Sequence, residues 1–96
     1  MKYGGHKNWN HWSVHLWLTG TERLYRMALW EVERSRTLDW AAKNILHNML
    51  CRRGRKGVTL SEGYVLSGEY GQHVHTPDGA PYTVTSIRAA IVGWKD

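Results

Sequence analysis

The chain has 96 residues, 42% of them hydrophobic and 22% charged, which fits one small globular domain. That length excludes a multidomain enzyme, a Rossmann or barrel fold and a solenoid of several repeats. Thirteen Lys and Arg against eight Asp and Glu give a net charge of +5, which favours anionic partners such as nucleic acid or an acidic protein face.

Residues 1–8 are polar and glycine-containing and read as a flexible arm, leaving 9–96 as a single compact domain. Residues 9–18, WNHWSVHLWL, carry two periodicities. As a strand, Trp12, Val14, Leu16 and Leu18 share a face. As a helix, Trp9, Trp12 and Leu16, with Trp17, make a stripe. Helix is the preferred reading, because Thr19-Gly20 ends the segment and a second helix follows at once.

Residues 20–36 read as that second helix, with Thr19 and Glu22 in a capping box and Thr21 as the alternative cap. Leu24, Met27, Ala28, Glu31, Val32 and Ser35 share one face, widened by Tyr25, Leu29 and Trp30. Residues 38–52 give the clearest helical period: Leu38, Ala41, Ala42, Ile45, Leu46, Met49 and Leu50. Thr37 suits its N-cap, and Gly54 its stop.

From residue 54 to 82 the pattern changes. Val58 to Leu66 predicts one short strand and Tyr70 to Thr76 another. Thr76-Pro77-Asp78-Gly79 is a strong turn signal. His73 to Thr76 and Ala80 to Thr83 flank it as a hairpin, which requires Pro81 on an edge. Residues 84–94 predict a closing helix with Ile87, Ala90, Ile91 and Trp94 inward and Thr83 or Thr85 as cap. The expected fold is α+β: a small helix-dominated domain with a short β-hairpin between the third helix and a C-terminal helix.

Cys51 is the only cysteine, so no intramolecular disulfide can form, which suits a reducing cytoplasm. No run of 18 apolar residues predicts a membrane span, and the opening residues lack the apolar core of a signal peptide. The expected location is cytoplasmic, with no membrane partner.

Four positive charges fall within five positions: Arg52, Arg53, Arg55 and Lys56. A glycine-flanked basic loop of this kind can meet phosphates or an acidic protein surface; the bland reading is a solvated loop that offsets the helix dipole. His11 and His15 share a face in either a helix or a strand, and His73 and His75 share one in a strand. Together the four imidazoles offer zinc or another divalent ion a ligand set if the fold assembles them. Otherwise they are ordinary exposed or hydrogen-bonded histidines, and no cofactor is expected.

Catalytic patterns are weak. Cys51 and His47 are four apart on one helix, a spacing that also arises by chance. There is no nucleophile elbow and no phosphate-binding glycine loop. Among the tryptophans, Trp12, Trp17, Trp30 and Trp94 are expected in the core of a chain without Phe. Trp9 and Trp40 are expected outside. Trp40 shares a side of its helix with Lys43, Asn44 and His47; it suits an interface anchor and equally suits packing under the first segment or the β element.

Asn8 to Leu18, NWNHWSVHLWL, resembles a pattern of small uncharacterised phage and prophage proteins, N-[YW]-x-x-W-x-V-x-L-W-[IL]. In those proteins a short polar turn follows, then a helix opening similar to Glu22-Arg23-Leu24-Tyr25-Arg26. The resemblance covers the first quarter of the chain. This sequence departs from the pattern at His11, where Thr is usual, and at Thr19-Gly20-Thr21, where an Asn-Asp turn is usual. The resemblance implies a phage accessory protein of the host bacterial cytoplasm. Such a protein would bind a host protein or nucleoprotein complex stoichiometrically, for example a nucleic-acid-handling or defence complex. The binding residues would be Arg52, Arg53, Arg55, Lys56 and Trp40. Two alternatives stay open: direct DNA or RNA binding through the same basic loop, and a histidine metal site or small hydrolase.

Overall fold

The computed structural model describes residues 8–51, 63–69 and 72–94. In chain order these form α1 (Trp9–Gly20), α2 (Glu22–Arg34), α3 (Leu38–Leu50), β1 (Val65–Ser67), β2 (His73–His75) and α4 (Val84–Ile91). The domain is therefore α+β and helix-dominated, with a two-stranded antiparallel hairpin between α3 and α4.

Asn8 starts α1 by accepting a hydrogen bond from the His11 amide at 3.0 Å, so the last residue assigned to the arm serves as a helix cap. The helical reading of 9–18 holds, but its face does not. Ser13, Val14 and Leu18 are buried, while Trp9 and Leu16 are exposed and Trp12 is half-buried. The reason is that α1 is apolar on two sides. Only its neighbours decide which side enters the core.

The boundary between α1 and α2 also differs from the expected capping box. Thr19 lies inside α1, its hydroxyl donating to the His15 carbonyl at 2.7 Å. Thr21 is the hinge residue: its amide bonds Trp17 O at 3.2 Å, ending α1, and its own carbonyl receives the Tyr25 amide at 2.8 Å, opening α2. Glu22 pairs with Arg26 one turn on, at 2.6 Å. Such an exposed pair contributes little.

On α2, Leu24, Ala28, Glu31 and Val32 are buried as the period predicts. Thr37 caps α3 through the Trp40 amide at 3.2 Å. That helix ends at Leu50 with Cys51 as its C-cap. The predicted stop at Gly54 lies outside the described residues. Ala41, Ala42, Ile45 and Met49 form its buried stripe.

β1 and β2 pair with Leu66 opposite Val74. The expected strand over 58–66 is thus observed only at its end, with 58–62 outside the described residues. The turn over 76–79 forms as predicted. Gly79 adopts φ +100°, and its amide bonds Thr76 O at 2.8 Å. Across the turn, Thr76 N meets Ala80 O at 2.7 Å and Tyr82 N meets Val74 O at 3.1 Å. Pro81, exposed, stands opposite His75 in an isolated bridge.

Thr83 then caps α4 in a full capping box with Ser86. α4 is shorter than predicted. Gly93 takes φ +86° and Trp94 folds back through its amide to Ile91 O at 3.1 Å.

α4 is the central helix of the packing, set against both α1 and α3, with α2 against α3 and α1. Ile87 and Ile91 of α4, Ile45 and Met49 of α3 and Leu18 of α1 are the largest apolar side chains fully enclosed. Each such burial is worth about 1.5–3 kcal/mol. No helix among the described residues is long and apolar enough to cross a membrane.

Candidate binding surface

None of the six tryptophans belongs to the buried core. Trp12, Trp17 and Trp94 are half-buried, and Trp30 is 56% exposed. The expectation that these four form the core is corrected on that point. The interior is filled instead by small and aliphatic side chains together with Met49, Tyr64 and Tyr82. Ala28, Ala41 and Ala42 are fully buried where α2 and α3 meet the core.

Trp40 takes the outward of the two positions the sequence allowed. It stands on the outward side of α3 at 58% exposure, opposite the Ala41, Ala42 and Ile45 stripe. The Lys43 ammonium lies 5.2 Å from its ring centroid. Trp30, near the end of α2, has the Arg34 guanidinium 4.4 Å from its ring. Each exposed indole is therefore matched by a cation from its own helix, three or four residues on, a cation–π pairing.

A buried polar network ties these two helices together beneath the surface. Glu31 is 1% exposed. It receives hydrogen bonds from the Arg34 guanidinium at 2.7 Å and from the Asn48 side-chain amide. Asn44 donates to Ser35 Oγ at 3.4 Å. Arg34 thus bridges a buried carboxylate and an exposed indole, which holds the Trp30 ring on the surface. The sequence signal for this was Glu31 within an apolar stripe, a buried acid that needs partners.

Trp9, Trp12 and Leu16 make a second outward apolar strip, on α1. These are the residues that the helical period grouped together: Trp9 is exposed as expected, Leu16 is exposed, and Trp12, expected in the core, is half-buried. Trp94 meets Tyr25 edge to face, with ring centroids 5.4 Å apart.

Arg52, Arg53, Arg55 and Lys56 lie outside the described residues. Of the four histidines considered for a metal, His73 is exposed and His11, His15 and His75 are half-buried. The His75 Nδ1 lies 2.9 Å from Thr76 O, so it donates there. Among the described residues no three His, Cys, Asp or Glu side chains gather closely enough to hold one ion.

Two other features stand near the surface. His47 and Cys51, set aside in the sequence as a chance spacing, are in contact, with Nε2 and Sγ 3.2 Å apart. A groove of about 500 Å³ runs between α3 and the β2 turn, lined by Leu46, Leu50, His73, Val74, His75 and Tyr82 among others. Behind it the Tyr82 hydroxyl donates to Gly63 O at 2.6 Å. Burial pushes the Tyr82 phenol well above its ordinary pKa, with neighbouring Tyr64 adding to the effect.

Compared with family models, with curated proteins and with solved structures, the chain gives no match.

Proposed function

We propose that this protein is a stoichiometric binding protein of the phage accessory type, which attaches to a host protein or nucleoprotein complex through its exposed indoles and basic residues. The observation that carries this reading is the pair Trp30 and Trp40, each more than half exposed and each beside a cation. Exposed tryptophan with an adjacent arginine or lysine is the typical composition of an interface anchor. The cations select an acidic partner surface, and the indoles supply the apolar area that is lost to water in the free protein. Arg52, Arg53, Arg55 and Lys56 extend the same positive character along the sequence.

The test is a tagged pull-down from bacterial lysate, run with and without nuclease and read by mass spectrometry. One host protein enriched in both arms, and lost with Trp40→Ala, supports the proposal. Enrichment that disappears with nuclease transfers the surface to direct nucleic-acid binding, where indoles stack on bases. A partner captured equally by Trp30→Ala, Trp40→Ala and the Arg53→Glu/Arg55→Glu double variant rejects the assigned surface.

A further inference from the structure

We propose that Asp78 is a site of spontaneous isoaspartate formation, and that a hydrogen bond from the Trp17 indole sets its rate. The chain has three aspartates and four asparagines, and Asp78 alone among them is followed by glycine. A glycine nitrogen is the least hindered one an aspartyl carboxyl can meet, because no Cβ stands beside it. Asp78 and Gly79 are both exposed at the tip of the turn over 76–79. Gly79 has φ +100°, and no neighbouring atom lies within 4 Å of the place a Cβ would take. The tip therefore has room for a cyclic product.

The step is a rearrangement that needs only water. The Gly79 amide nitrogen forms a bond to Cγ of Asp78. The amide proton and the carboxyl hydroxyl leave together as water, which closes a cyclic imide. Water then reopens the ring at either carbonyl. Attack at Cγ restores aspartate. Attack at the main-chain carbonyl carbon of Asp78 leaves the chain running through Cβ and Cγ, with the former main-chain carboxyl free. No electron is transferred, and the product is an isomer of the starting chain.

Two hydrogen bonds oppose ring closure. Gly79 N donates to Thr76 O at 2.8 Å, and rotating the nitrogen toward Cγ breaks that bond. This restraint belongs to the turn itself. The Trp17 Nε1 donates to Oδ2 of Asp78 at 2.8 Å and turns the carboxylate toward α1. That restraint exists only when α1 is docked, so the tertiary structure governs the reaction. Once isoaspartate forms, the main chain is longer by a carbon and the carboxylate is displaced from the indole. The modified chain has lost the tie between α1 and the turn. This inference stands apart from the proposed binding through Trp30 and Trp40.

The experiment ages the full chain in warm neutral buffer for several weeks. Isoaspartate is read by methyl transfer from labelled S-adenosylmethionine with an isoaspartyl methyltransferase, and located by peptide mapping. In the wild type it should accumulate at Asp78, and Asp78→Glu should abolish it, because the larger ring closes slowly. Trp17→Phe keeps an aromatic ring and should speed accumulation about two- to tenfold, the population factor of one hydrogen bond. Thr37→Ala weakens a cap on α3, away from the turn, and should leave the rate unchanged. Wild type unfolded in urea should react at least about tenfold faster than folded, a comparison that needs no variant to fold. The aged form, separated by chromatography, should melt below its parent and show a shifted Trp17 indole N–H resonance. Folded wild type without isoaspartate at Asp78 overturns the site. Equal rates in the folded and unfolded chain overturn its protection by the fold. A Trp17→Phe rate no higher than wild type, or a Thr37→Ala rate that matches it, overturns the role of the indole.

Discussion

The Trp17 indole Nε1 donates a 2.8 Å hydrogen bond to Oδ2 of Asp78, 61 residues away. It ties the flank of α1 to the tip of the turn over 76–79. Deeper in, Ser13 Oγ and Thr76 Oγ1 meet at 2.9 Å, both buried, and Thr76 Oγ1 also receives the Ala80 amide at 3.0 Å. A turn that reads as purely local in the sequence is therefore a clamp between the first helix and the β element.

Asp78→Ala should remove the outer half of that clamp and cost about 0.5–1.5 kcal/mol, the usual net worth of one hydrogen bond. In a domain of this size that lowers Tm by roughly 4–8 °C per kcal/mol. Thr76→Val should cost more, because it strips the buried Ser13 hydroxyl and the Ala80 amide of a partner. Thermal melts of the two variants check the order.

Glu31 gives a second expectation. Glu31→Ala leaves the Asn48 amide without its acceptor and opens space under α2 and α3. A loss of about 2–4 kcal/mol follows. Glu31→Gln keeps the shape but weakens the link to Arg34, for a smaller loss of about 1–2 kcal/mol. The same variants should also change Trp30 fluorescence, because Arg34 joins Glu31 to that ring. Equal melting of both variants and wild type would show that the network carries no stability.

The helix caps separate residues that look alike in sequence. Thr83→Ala breaks a complete capping box, and Thr37→Ala breaks the bond to the Trp40 amide; each should cost about 1 kcal/mol. Thr21 makes no side-chain cap bond, so Thr21→Ser should change stability by less than about 0.5 kcal/mol. Urea titrations resolve differences of this size.

Tyr82 sets the alkaline limit. Its phenol has a raised pKa in the folded state, by burial first and by Tyr64 second. The folded protein therefore binds this proton more tightly than the unfolded chain does. The stabilisation is fully present below the unfolded tyrosine value of about 10 and is lost as pH rises above it. Stability should fall by up to about 1.4 kcal/mol per pH unit from this group above pH 10. Tyr82→Phe should be less stable at neutral pH, since Gly63 O loses its donor, but should show a flatter decline at alkaline pH. A variant with an unaltered alkaline slope would remove Tyr82 from this role.

Much of the architecture was readable from local signals. The stripe from Ala41 to Met49 with Thr37 before it fixes α3, because one apolar face and one cap leave a single solution. Pro77, Asp78 and Gly79 do the same for the turn, while for α4 the sequence offered Thr83 or Thr85 as cap and the structure uses Thr83. The surface was legible only in part. Trp40 stood opposite a well-defined stripe, which made it a candidate for exposure, and the structure chose the outward position over packing under a neighbouring element. Trp30 stood at the margin of a broad apolar face, and nothing in the α2 period says where that face ends. Hydrophobicity alone ranks an indole as core, whereas the core positions are occupied by alanines, aliphatics and two tyrosines.

The sequence by itself determined the third helix, the turn and the α+β class, and the second and fourth helices to within a few residues, since period, caps and turn chemistry act locally; for residues 9–18 it preferred a helix without excluding a strand. Only the tertiary structure decided which side of α1 is buried, that Ser13 and Thr76 meet, and that Trp30 stands on the surface. Those outcomes depend on which elements pack against one another, and a side chain's neighbours across the core are not encoded in its neighbours along the chain.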